Sequence, residues 1–73
     1  MDRREIKDQI EGIKRDIEYL ENNRASQVMI RENRDIYETS ETFRRMVEEQ
    51  RQLEDEAVRI WIIEIEKLEG MMK

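Results

Sequence analysis

Ile6, Ile10, Ile13, Ile17 and Leu20 recur at spacings of four and three, which sets them in one narrow stripe along an α-helix. Such a stripe needs a second helix to cover it. Near the other end Val58, Trp61, Ile65, Leu68 and Met72 repeat the rhythm. The chain has no proline, so nothing forbids long helices. The pattern predicts an all-α chain of paired helices. It points to no particular chemistry.

Seventy-three residues allow one domain, of a size that often needs oligomerisation for stability. There is no cysteine and no histidine, so disulfides and the usual zinc and copper ligands are absent. No metal or cofactor is expected. Charged residues make up 45% of the chain and apolar ones 37%, which suits helices with one apolar face and a solvated remainder. Disorder is the competing reading of so much charge, and the regular apolar spacing argues against it. The predominance of Arg, Glu and Ile is also a feature of ion-pair-rich thermophilic proteins.

The net charge of −5 argues against direct nucleic-acid binding, which needs a basic face. The longest apolar run, Ile60-Trp61-Ile62-Ile63, is too short to span a membrane. Charges follow Met1 at once, with no apolar core of a secretory leader. The expected location is cytoplasmic.

Asp2 suits a helix N-terminus, and a first helix is expected over about 2–37. Beyond Leu20 its stripe runs into Arg24, Val28, Arg31 and Asp35, so the seam turns polar. Either the helix breaks at 22–24, where asparagine is a good cap, or it continues with a wet upper half. The segment Glu38-Thr39-Ser40-Glu41-Thr42 carries cap residues, and a turn is expected at about 38–41. A single unbroken helix is the alternative, since no glycine marks the turn. The second helix is expected over about 41–70, ended by Gly70. The β-branched run from Val58 to Ile65 also allows a strand, but its flanks are helical and give no turn signal.

From Leu53 to Met72 the apolar residues cover roughly a 200° arc, more than one neighbouring helix can cover. The expectation is a long antiparallel, coiled-coil-like hairpin that dimerises into a four-helix bundle. Pairing about a turn at Thr39-Ser40 matches residues whose numbers sum to about 79. That register sets the richest part of one helix against the richest part of the other.

Ile60, Trp61, Ile62, Ile65 and Leu68 are the candidate partner interface, with the sole tryptophan as a natural anchor. Arg24 and Arg31 continue an apolar seam, where arginine is costly unless paired, and Glu64 lies within the apolar arc. These three are the candidate buried polar pairing. A helix break would instead put both arginines on the surface. Glu48, Glu49, Glu54, Asp55 and Glu56 form an acidic patch, whose core candidates for a basic partner are Glu48, Glu49, Asp55 and Glu56. A solvated face is the plainer reading. Met71 and Met72 offer either an adaptable contact or a frayed end. No hydroxyl has a histidine to activate it, and no phosphate-binding fingerprint is present. No catalytic residue is expected.

Ile10, Ile13, Ile17, Leu20 and Arg24 resemble the first-helix pattern of all-helical chorismate mutases, over about a fifth of the chain. The resemblance implies an enzyme in which Arg24 binds a substrate carboxylate. Asp35 stands where that family places an active-site lysine, and the chain is shorter than the family's usual domain. Three functions follow in order: a non-enzymatic helical interaction and oligomerisation module, a small acidic regulator or inhibitor of cellular or viral origin that binds a basic protein surface, and a chorismate-mutase-like enzyme.

Overall fold

The computed structural model describes residues 2–72, and these form four helices. They are α1 (Arg3–Asn22), α2 (Ala25–Glu32), α3 (Arg34–Thr39) and α4 (Glu41–Met71). The long α4 packs against each of the other three, giving a rod 53 Å long and 12–16 Å across.

Asp2 caps α1, its carboxylate accepting the Glu5 N–H at 2.9 Å. The apolar stripe then does its expected work: Ile6 and Ile10 are buried with Ile65 and Leu68 of α4, and Ile13, Ile17 and Met72 pack on that cluster. Arg3 reaches across to donate to the Met72 carbonyl at 3.2 Å, tying the start of α1 to the end of α4. Ser40 caps α4 by accepting the Phe43 N–H at 3.1 Å. The reversal there uses no residue at positive φ. Arg44 instead collects the Tyr37 and Glu38 carbonyls that α3 leaves free.

The expected span of 2–37 is divided among three helices, the last of which runs on to Thr39, into the segment expected to turn. Asn23 and Asn33 interrupt the span with nearly the same backbone, φ −135° and ψ 46° against φ −133° and ψ 44°. Each donates its side-chain amide to the carbonyl four residues back, Tyr19 or Met29. At Asn23 the side chain takes the Tyr19 carbonyl in place of the backbone N–H, which turns to Leu20, whereas at Asn33 side chain and backbone N–H share the Met29 carbonyl. The interruption at Asn33 lies outside the 22–24 alternative. At the other end Gly70 lies inside α4's last turn without a positive φ, and the Met72 N–H closes the helix on Glu69 and Gly70.

On α4 the inner face is a seven-residue repeat: Val47, Glu54, Trp61 and Leu68. Val47 and Leu68 are buried, Trp61 is half-buried, and Glu54 occupies the one charged place in the row. No helix among the described residues is long and apolar enough to cross a membrane.

Candidate functional site

Two features of α4 stand out, a buried carboxylate on its inner face and an exposed apolar row on one flank. The carboxylate follows from the break at Asn23. After it, Arg24 adopts φ −65° and ψ 125°, and α2 starts with no side-chain cap of its own. Its first N–H groups therefore need an outside acceptor. Glu54 supplies it from α4. One carboxylate oxygen accepts the Ser26 N–H at 2.9 Å, and the other accepts the Ser26 hydroxyl at 2.7 Å. Gln50 adds an amide N–H at 3.2 Å. Ser26 is 0% exposed and Glu54 4%. A negative charge at a helix N-terminus also meets the favourable end of the helix dipole.

Arg24 closes the cluster from the solvent side. Its guanidinium bonds Glu21 and Asp55, the latter at 2.8 Å, and lies 3.7 Å from Glu54. Burial pushes the Glu54 carboxyl up. The Ser26 N–H, the Ser26 hydroxyl, Gln50 and the Arg24 charge outweigh it, so Glu54 titrates below its ordinary range. Bonds to Glu21 and then Asp55 hold Arg24 more firmly protonated than a free arginine. No buried side-chain nitrogen or oxygen among the described residues lacks a partner.

The three residues expected to pair lie apart. Arg24 is in this cluster, whereas Arg31 and Glu64 are exposed. Arg31 lines a shallow cavity of about 320 Å³ with Gln27, Ile30, Arg34 and Arg51. Within the acidic patch, Glu48, Glu49 and Glu56 are exposed and Asp55 is bound to Arg24. Glu54 departs from the patch altogether, because its place in the seven-residue row turns it inward. Ser26 and Gln50 were not expected at a site. The signal for Glu54 was its spacing of seven from both Val47 and Trp61. Nothing comparable marked Ser26.

The candidate interface divides in two. Ile65 and Leu68 are buried against α1. Ile60 and Ile62 are exposed, and Trp61 is half-buried between them. The exposed apolar row lies one residue ahead of the inner one: Met46, Leu53 and Ile60, at 52%, 62% and 58% exposure. Neighbouring positions differ by about 100° around a helix, so the two rows lie nearly at right angles.

Among the described residues no group of three or more His, Cys, Asp or Glu side chains is placed to hold a metal ion. The chain matches no protein-family model, no curated protein and no solved structure.

Proposed function

We propose that the chain is a non-enzymatic helical hairpin that acts as a protein–protein interaction and oligomerisation module, with a dimeric four-helix bundle as its assembly. The observation that carries this reading is the exposed row Met46, Leu53 and Ile60 beside a thin core. Only five apolar side chains are buried among the described residues: Ile6, Ile10, Val47, Ile65 and Leu68. That is little for a chain of this length, and small domains commonly gain the remainder by association. A helix with two apolar rows about 90° apart suits a place between two neighbours, as in a bundle. The ion pair of Arg24 with Asp55 supports the hairpin, since it falls on the register that a turn at Thr39-Ser40 sets. The contact of Ser26 with Glu54 is one residue off it.

Sedimentation over a concentration series tests the proposal. The expected result is reversible association, lost in Leu53→Asp while helicity is retained, because Leu53 is exposed in the single chain. A folded monomer at every concentration overturns it. The acidic-regulator reading relies on the exposed Glu48, Glu49 and Glu56, and it predicts salt-sensitive capture of a basic protein instead. The enzyme reading asks Arg24 to bind a substrate carboxylate, and the chain's own carboxylates already engage that guanidinium.

A further inference from the structure

We infer that the partner is a second copy of this chain, and that the two α4 helices pair antiparallel with Leu53 against Leu53 and Met46 against Ile60. The inference rests on the interaction-module reading and adds the direction and register in which the two outer rows meet.

The occupant follows from what each helix has to offer. Apart from its inner stripe, α1 presents Glu5, Gln9 and Asp16 on one side and Lys7, Glu11 and Lys14 on the other, all exposed. It has no second apolar row to meet the outer row of α4. The outer row itself is self-complementary. Met46 and Ile60 lie seven residues on either side of Leu53, so the row has the same spacing in both directions and an apolar side chain at each place. A two-fold axis requires such a patch, since each copy must present to the other the surface that it receives.

Charge selects the direction. Glu64 and Lys67 lie close to the line of the outer row, about 20° and 40° from Leu53 around the helix. A parallel pair sets Glu64 on Glu64 and Lys67 on Lys67, which is repulsive in both layers. The antiparallel pair centred on Leu53 carries Glu64 to the start of the second α4, near Thr42, and opposes the helix dipoles favourably. One kind of like-charge approach remains, made twice by the two-fold axis. Glu49 comes near Glu56 of the second copy along the outer edge, where water and salt screen it.

Disulfide trapping tests this arrangement, because the chain has no cysteine of its own. Met46→Cys and Ile60→Cys variants are each exposed in the single chain, so their folds are expected to persist. Under mild oxidation the mixture should give mostly the mixed covalent dimer, and Leu53→Cys alone should link to itself. Glu49→Gln with Glu56→Gln, or added salt, should tighten association several-fold. Association with preferential Met46→Cys self-linking, or with no mixed product, overturns the antiparallel register and leaves the interaction module standing. A monomer at all concentrations overturns both. Weaker association in the Gln variants also counts against this register, since it makes those carboxylates attractive contacts.

Discussion

The two asparagine junctions have almost the same backbone and quite different surroundings. At Asn33 the chain resumes at once, and α3 begins at Arg34 with the Tyr37 N–H closing on the Asn33 carbonyl at 2.9 Å. Local bonds complete that junction. At Asn23 the extended Arg24 intervenes, and the next helix opens onto the body of the protein. The amide of its second residue, Ser26, is answered by a carboxylate 28 residues away in sequence. The same local device therefore leads to a self-contained bend in one place and a long-range lock in the other. What separates them is a single extended residue and the charged position in the row on α4.

Glu54→Ala should separate the junctions most clearly. It removes the acceptor for both Ser26 donors and leaves them buried, at a cost of about 3 kcal/mol. Chemical denaturation would measure it. A loss no larger than at an exposed site would show that water replaces the carboxylate without penalty. Acid provides the next test. The Glu54 carboxyl titrates below its usual value of 4.5 in the folded chain, so its contribution is complete above that value. The contribution is lost as pH falls through the lower folded value. The stability gap between the native chain and Glu54→Gln should therefore close below about pH 4.5 and stay constant above it. A gap that widened on acidification would contradict the ionised lock. The smallest effects sharpen the contrast. Ser26→Ala should cost about 1–2 kcal/mol, because a buried hydroxyl bond to a charged group is lost. Asn33→Ala should stay within about 0.5 kcal/mol, since local backbone bonds persist there. Melting the two variants side by side would show it.

How far the sequence reveals these features depends on the range of the forces involved. The stripe from Ile6 to Leu20, the cap at Ser40 and the long final helix are written in local spacing and local bonds. Two members of the exposed row, Leu53 and Ile60, fall within the over-wide arc, whereas Met46 lies before it. The row's division from Ile65 and Leu68 depended on where α1 would lie, which no local pattern records. Glu54 was hidden by company, since Glu48, Glu49, Asp55 and Glu56 surround it and suggest solvent. Only its heptad position set it apart. Ser26 was invisible because its burial comes from the conformation of Arg24, an irregular residue that no periodicity describes. The pairing of Arg24 was legible as a possibility. Arg31, on the same projected seam, is exposed because the break at Asn23 resets the helical phase.

Those breaks also divide the molecule into parts of unequal durability. Helices of eight and six residues have no independent existence in water, so α2 and α3 persist only while α4 templates them. The segment from Arg24 to Thr39 is thus a latch on a more continuous frame formed by α1 and α4. Its lifting is a local event, distinct from global unfolding. Amide exchange should report it as an earlier-opening unit, and trypsin should find Arg24 and Arg34 before the arginines within α4. The Ser26–Glu54 contact is the catch of that latch, and each opening exposes a carboxylate that the closed state keeps from water.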